Sequence, residues 1–453
     1  MNIIKKIVVL LFAAIIILPM VFFNFKPDSI SMIDNRKLTD NPFGNSDNLT
    51  GHLNIDIENY INDRIGFRED MILGYTILND KLFHKMKHPG YTYGKDGYVF
   101  GGGLEFVEYG DYHDNFIKMV KSIQNYCQDR NVPFLFVFNP AKPAIYTDKI
   151  ENGINYDREW VDIFMNKLDE QGINYLDNTD ILREATENGE IVFNQKYDAN
   201  HWNDLGAFYG TNSILSKMKE QNDNIKINSL SDFKLSKKHV DTLLVSEFPI
   251  DEYIPDFYIK KDLKGIGERY GSIRLNDNYK SFGYVVNEYR KSEDLPKTLM
   301  FQGSYMNGYG SKYMQNALEE YIFVHDYQNV IDMPYYFNIF KPEFVVFEVG
   351  EYTINDGYFN EDKIKGIDYN PTLSSVINNE NIDKITVNKD NLSISIDKSL
   401  TSIKWTTDIN AKYVWLKSNG EYDMEHVDGG YEVTIDTSNY NKFNNDIEIY
   451  YLK

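Results

Sequence analysis

Ester and acyl-transfer chemistry at neutral pH needs a nucleophile that is weak alone, a base to take its proton, and donors for the developing oxyanion. A nucleophile of this kind stands in Phe301-Gln302-Gly303-Ser304-Tyr305. The apolar run Thr298-Leu299-Met300-Phe301 reads as a buried strand, and the stretch from Tyr305 through Glu320 reads as a helix. Ser304 therefore sits where a strand ends and a helix begins. That position exposes a hydroxyl at the carboxyl edge of a sheet, beside backbone N–H groups that can serve an oxyanion. Gly303 permits close backbone approach there. Asn307 and Tyr305 are further candidates for contact with an oxyanion or substrate. The same Gly-Ser pair also fits a plain turn or a helix cap.

A base and an orienting acid occur in Tyr197-Asp198-Ala199-Asn200-His201-Trp202-Asn203-Asp204-Leu205-Gly206-Ala207. Asp198 and His201 precede a helix that Asn203 or Asp204 can cap. In such a turn the carboxylate accepts from one imidazole nitrogen and leaves the other free to activate a serine. Equally, His201 reads as an ordinary residue at a helix start and Asp198 as a loop carboxylate.

Other constellations carry less. His84 and His88 have the spacing of a metal pair, but no carboxylate motif supports them, and Lys85 and Lys87 make a solvated helix face the simpler reading. Gly101-Gly102-Gly103 lacks the Lys-Ser/Thr partner of a phosphate loop. His325-Asp326 ends a strand and receives no role. No metal site and no cofactor is implied.

The elements that must position these residues alternate between helix and buried strand. A helix from about Asp114 to Asp129 leads into Pro133-Phe134-Leu135-Phe136-Val137-Phe138, a continuous apolar run bounded by Asn139-Pro140. An amphipathic helix over Trp160 to Glu170 precedes a short strand at Asn174-Tyr175-Leu176. After Ser304 come strands at Tyr321-Ile322-Phe323-Val324 and Phe344-Val345-Val346-Phe347-Glu348-Val349. This order predicts an α/β domain on a parallel sheet. An irregular, strand-like insertion falls at about 225–295. Gly94 to Phe100 reads as a hairpin with an Asp-Gly turn. From about Asp383 to Lys453 the sequence alternates with period two between Asn, Asp and Gly turns, which predicts a separate small β-sandwich.

The composition suits a globular protein, and a net charge of -21 argues against nucleic-acid binding, which needs a basic face. The single cysteine, Cys127, excludes an intrachain disulfide. It falls on the apolar stripe Phe116, Val120, Ile123, Cys127, so it reads as core. Lys5 and Lys6 precede an uncharged apolar run from Ile7 to Phe23, and no small-x-small cleavage site follows. The expected arrangement is an uncleaved signal anchor over residues 1–27, with the lysines inside and everything after Asp28 outside the cytoplasm. A cleaved signal peptide is the alternative, and either version exports the domain over 28–370.

Asp198-x-x-His201 resembles the Asp/His block of SGNH-type hydrolases, in which the serine usually comes first in the chain. Here Ser304 follows His201. That order resembles the DHHW and alginate O-acetyltransferase group, similar to a circularly permuted SGNH α/β/α sandwich. The further signatures are Asn35-Arg36-Lys37-Leu38, Asn62 to Arg68, Gly94 to Phe100, and Asn139-Pro140-Ala141-Lys142. One departure stands out: the group usually has Asp-x-His-Trp, whereas this chain has Asp198-Ala199-Asn200-His201-Trp202. The resemblance implies a Ser304-His201-Asp198 triad, with Lys142 and Glu348 or Glu351 as pocket residues. It also implies acetylation of an exopolysaccharide beside a membrane-bound acyltransferase that brings the acetyl group across. Two other functions fit the same residues. One is an esterase with water as acceptor. The other is a non-catalytic polysaccharide-binding protein whose C-terminal β-domain, residues 383–453, exposes Trp405, Tyr413 and Trp415.

Overall fold

The computed structural model describes residues 3–27, 29–31, 36–44, 49–83, 85–86, 90–102, 104–243, 248–378 and 381–453. His84, His88, Gly103, Asp28 and Asn35 lie outside the described residues. Helix α1, Ile3–Val21, has no buried residue and is long and apolar enough to cross a membrane. Its nineteen residues rise about 28 Å, close to a bilayer's hydrocarbon thickness. The chain after it is tied down by helix α2, Leu53–Arg64. The buried Arg64 guanidinium donates to the carbonyls of Lys26 (2.6 Å) and Thr39 (2.8 Å), and Asp63 accepts from the Thr39 N–H and hydroxyl. The Asn62–Arg68 signature thus has a local structural use.

The central sheet follows from strands that are apolar on both faces. Its members are β1 (Phe134–Asn139), β2 (Tyr175–Asp177), β5 (Lys264–Gly265), β6 (Phe282–Val286), β7 (Thr298–Gln302), β8 (Glu320–His325) and β9 (Phe344–Gly350). Strands β3 (Phe233–Thr242) and β4 (Pro249–Ile259) form a separate long hairpin. The sheet order is β2-β1-β9-β7-β8-β6-β5. The first five strands are parallel, and β6 and β5 extend the edge antiparallel. The end of the 225–295 stretch is thus part of the sheet itself.

Strand periodicity assigns the two faces. Phe134, Phe136, Phe138, Leu299, Phe301, Val345 and Phe347 pack with helices α3 (Asp111–Gln128) and α4 (Glu159–Glu170). Leu135, Val137, Met300 and Val346 pack on the other face with α5 (Asp204–Lys219) and α6 (Ser311–Ala317). Covering both faces removes the polar alternation a half-exposed sheet would show. Cys127 lies in the first core, where burial pushes its thiol up. The helix expected from Tyr305 to Glu320 is shorter: a wide turn at Met306–Gly310 leads into α6, and β8 begins at Glu320.

The C-terminal segment forms seven antiparallel strands, β10 (Ile382–Asn388), β11 (Ser393–Asp397), β12 (Leu400–Thr406), β13 (Tyr413–Ser418), β14 (Gly420–Val427), β15 (Gly430–Asp436) and β16 (Asp446–Leu452). The small β-sandwich takes the form of a curled half-barrel. Strand β14 pairs with β13 through Gly420–Met424 and with β15 through Glu425–Val427, so one strand carries the sheet around its own core. Trp405 is 6% exposed and Trp415 is fully buried, with its indole N–H donating to the Pro371 carbonyl. Tyr413 is half-buried, with its hydroxyl donating to Asp368 at 2.6 Å, so the three side chains form no continuous exposed strip for a glycan.

Candidate active site

The carboxyl ends of β1, β7, β8 and β9 meet at one edge of the sheet, where a parallel α/β domain presents its loops and helix N-termini. Ser304 lies two residues beyond β7 and opens a helical turn, with the Asn307 N–H donating to the Gly303 carbonyl at 3.1 Å. The Gly303 N–H donates to Glu348 Oε2 at 2.7 Å, and Asn139 Nδ2 donates to Glu348 Oε1 at 2.7 Å. One buried carboxyl therefore ties the ends of β1, β9 and β7 together beneath the serine.

His201 approaches from the loop before α5. Asn203 caps that helix by accepting from the Leu205 and Gly206 N–H groups. The Trp202 indole N–H donates to the Tyr305 carbonyl at 3.0 Å, which fastens the histidine loop to the serine turn. Gly206 is required because a Cβ there would lie 2.2 Å from the Val192 carbonyl oxygen. Asp198 holds a left-handed backbone with φ of 49°, a conformation Asp tolerates better than most residues.

The three side chains meet. Asp198 Oδ1 lies 2.7 Å from His201 Nδ1 and also accepts the His201 backbone N–H at 3.2 Å. His201 Nε2 lies 2.8 Å from Ser304 Oγ. With Nδ1–H donating to the carboxylate, Nε2 is the nitrogen free to accept the serine proton. Burial alone would raise the Asp198 carboxyl, but the imidazole and the Tyr309 hydroxyl, which donates to Oδ2 at 2.8 Å, hold it below its usual value. For His201, burial works against the charged ring, yet Asp198 outweighs it and the net shift is upward.

Two residues at the site had no signal of their own in the sequence. Tyr309 supports Asp198, and the Tyr352 hydroxyl lies 3.1 Å from His201 Nε2. Both are single tyrosines in a Tyr-rich chain, and only the fold distinguishes them. Gly101 and Gly102, unconvincing as a phosphate loop, pack against Asn200, whose Oδ1 accepts the Gly102 N–H at 2.6 Å.

The remaining predicted residues lie around the triad, and of them the Tyr305 ring packs edge-on against His201, with 5.2 Å between ring centroids. The Tyr305 hydroxyl contacts the Pro140 and Asn200 carbonyls at 2.9 Å each, and its ring is buried. Asn307 is exposed, and its Oδ1 faces Gln302 and Ser281. Lys142 is fully buried, with Nζ donating to the carbonyls of Val99 (2.7 Å) and Gln195 (3.1 Å), and burial pulls its pKa down to about 7. Glu351 pairs with Arg158 at 3.0 Å and accepts the Ala141 N–H at 2.9 Å. Glu348 is pushed up to about 8 by burial and by Asp326. Asp326 is itself buried, its Oδ1 lies 3.0 Å from His325 Nδ1, and among the described residues neither carboxyl oxygen makes a well-aligned hydrogen bond; burial raises it well above its usual value. Among the described residues no group of three or more His, Cys, Asp or Glu side chains is placed to hold a metal.

The site thus stands at the carboxyl edge of a two-faced, mainly parallel α/β sheet. Residues 93–241 match the family described as SGNH hydrolase-like domain, acetyltransferase AlgX, which upholds the resemblance to the DHHW and alginate O-acetyltransferase group. The matched stretch contains Asp198 and His201 and ends before Ser304. No curated protein matches the chain. Among solved structures, the O-acetyltransferase domain of Pseudomonas putida AlgJ is 13% identical, with a TM-score of 0.43 over 61% of this chain and 99% of that one. Bacillus cereus PatB1 is 13% identical, with a TM-score of 0.44 over 57% of this chain and 95% of that one. A DHHW family protein from Eubacterium siraeum is 14% identical, with a TM-score of 0.42 over 62% and 96%.

Proposed function

We propose that this chain is an extracytoplasmic O-acetyltransferase that modifies a cell-surface or exopolysaccharide through an acyl-enzyme on Ser304. The observation that carries the reading is the continuous relay from Asp198 through His201 to Ser304, at 2.7 and 2.8 Å. In the first half-reaction Ser304 Oγ attacks the acetyl carbonyl while its proton passes to His201 Nε2. The first-turn N–H groups of the helix that Ser304 opens receive the oxyanion. The donor's leaving oxygen then takes the proton from His201, leaving acetyl-Ser304. In the second half a sugar hydroxyl gives its proton to His201 and attacks the acetyl carbon, and the Ser304 oxygen recovers the proton as it leaves. Asp198 stays ionised and steadies the imidazolium in both halves.

Helix α1 anchors the domain beside a membrane-bound acyltransferase that supplies the acetyl group. The test uses the full chain in detergent with a nitrophenyl acetyl ester, with and without oligosaccharide. Wild type is expected to release nitrophenol and to yield a peptide carrying one acetyl group on Ser304. Ser304→Ala should lose both, with a rate fall on the order of 10³-fold or more. Equal release by the two proteins would remove Ser304 as nucleophile. Faster release with oligosaccharide, together with acetylated sugar, separates transfer from hydrolysis.

A further inference from the structure

Beside the triad lies a cleft of about 620 Å³, the size of a small-ligand site. Tyr352 forms one wall, and its hydroxyl reaches His201 Nε2, so this one side chain links the cleft to the triad. Trp160, Tyr112 and Tyr358 supply aromatic surface.

Two polar atoms in this lining have no hydrogen-bond partner among the described residues. His113 is 5% exposed, and its Nδ1 accepts the Gly110 N–H at 3.2 Å, which places the ring proton on Nε2. That Nε2 is buried and unbonded, and so is the Tyr156 hydroxyl. Burial also lowers the His113 pKa, so the ring is neutral. A buried N–H and a buried hydroxyl without acceptors or donors are costly unless a partner reaches them.

The charge of the lining is one-sided. Glu105, Asp157, Asp356, Glu361 and Glu351 contribute carboxylates, and among the described residues no lysine or arginine lines the cleft. Arg158 neutralises Glu351, and Lys365 neutralises Glu361 at 2.8 Å. None of the ion pairs among the described residues engages Glu105, Asp157 or Asp356. Three exposed carboxylates therefore set the potential at the mouth.

We infer that this cleft seats the acceptor glycan and selects sugar units without a carboxylate, taking neutral or amine-bearing hexoses and turning away uronates. Aromatic faces suit the apolar faces of pyranose rings, while the His113 N–H and the Tyr156 hydroxyl meet sugar hydroxyls. Three like charges at the mouth raise the cost of admitting an anionic ring. The inference rests on the transferase reading of Ser304, so cleft and nucleophile are read by separate measurements.

Binding of six-sugar acceptors to full-length Ser304→Ala in detergent reports the cleft without any chemistry. Nitrophenol release by wild type reports the nucleophile. Glucosamine and cellulose hexamers are expected to bind about tenfold or more tightly than a galacturonate hexamer at low salt. The gap should shrink in 1 M salt, where screening acts within about 3 Å. It should also narrow with Asp356→Asn combined with Glu105→Gln. A galacturonate hexamer that binds as tightly as the others at low salt overturns the inference, even if wild type releases nitrophenol normally. If binding follows the expected order but Ser304→Ala releases nitrophenol like wild type, the cleft's selectivity stands and the nucleophile assignment fails.

Discussion

The carboxyl edge of the central sheet and the C-terminal half-barrel bury polar groups in opposite ways. At the sheet edge, Asp198, Lys142, Asp326 and Glu348 are all within 3% of complete burial, and each has a shifted pKa. In the half-barrel the core is Ile403, Val414, Leu416, Ile435, Ile447, Ile449 and their neighbours. Its one buried charge among the described residues of 383–453 is Asp423, which faces the α/β domain. Asp423 accepts from Arg130 at 2.8 Å and from the Tyr126 hydroxyl at 2.6 Å. One region thus concentrates burial cost around the Asp198-His201-Ser304 cluster, and the other uses its single buried charge to join two parts of the chain. Buried ionisable groups with shifted pKa values collect where chemistry is done. A lone buried ion pair with hydrogen bonds is more often structural.

The contrast is broken most severely by Asp198→Asn. Loss of the carboxylate removes the group that orients His201, and nitrophenyl acetate turnover should fall by roughly 10³-fold or more. Chemical denaturation should shift little by comparison. On the proposed mechanism His201 must be neutral to accept the serine proton, and its pKa is raised by Asp198. Activity should therefore climb with pH along an acid limb centred above the ordinary histidine value of 6.5. An acid limb well below that value would count against Asp198 as the partner.

Arg130→Ala should do the reverse. It leaves Asp423 buried without its cation, at a cost of about 3 kcal/mol in unfolding free energy. The activity of the folded fraction should stay within twofold. A large loss of turnover at full folding would mean that the half-barrel contact also shapes the site.

Lys142→Met sharpens the comparison at the sheet edge. The folded pKa of about 7 lies below the lysine value of 10.5, so the unfolded chain binds more protons between them. Wild-type stability should therefore rise as pH goes from about 7 towards 10, by an amount on the order of 2 kcal/mol. The methionine variant should lose that slope, and an unchanged slope would assign the titration elsewhere. The smallest expected effect is that of Tyr352→Phe. It keeps the ring and removes one hydroxyl from His201 Nε2, so kcat/KM should fall about three- to tenfold with stability unchanged.

Much of the arrangement was legible residue by residue. The run Pro133–Phe138 and the segments at 298–301, 321–324 and 344–349 all became central strands, because a two-face-buried strand writes itself as unbroken apolar sequence. Gly303-Ser304 after such a strand, and Asn203 capping a helix just behind His201, were readable because turns and caps depend on a few adjacent residues. The helix after Ser304 was read too long. The wide turn at Met306–Gly310 and the early start of β8 are set by packing against α5 and by sheet register.

What the sequence determined by itself was local: the buried strands, the helix starts, the apolar N-terminal helix and the two-residue rhythm of the C-terminal strands. Which of these came together was decided only by the tertiary structure. His201 and Ser304 are 103 residues apart, and they meet because Trp202 binds the Tyr305 carbonyl across that gap. β9 inserts between β1 and β7, which carries Glu348, Glu351 and Tyr352 to the site. Tyr309 and Tyr352 acquired their neighbours in the same way. Periodicity and capping act over a few residues, whereas sheet order brings distant segments into register, and that is why the partners of the triad could be seen only in the fold.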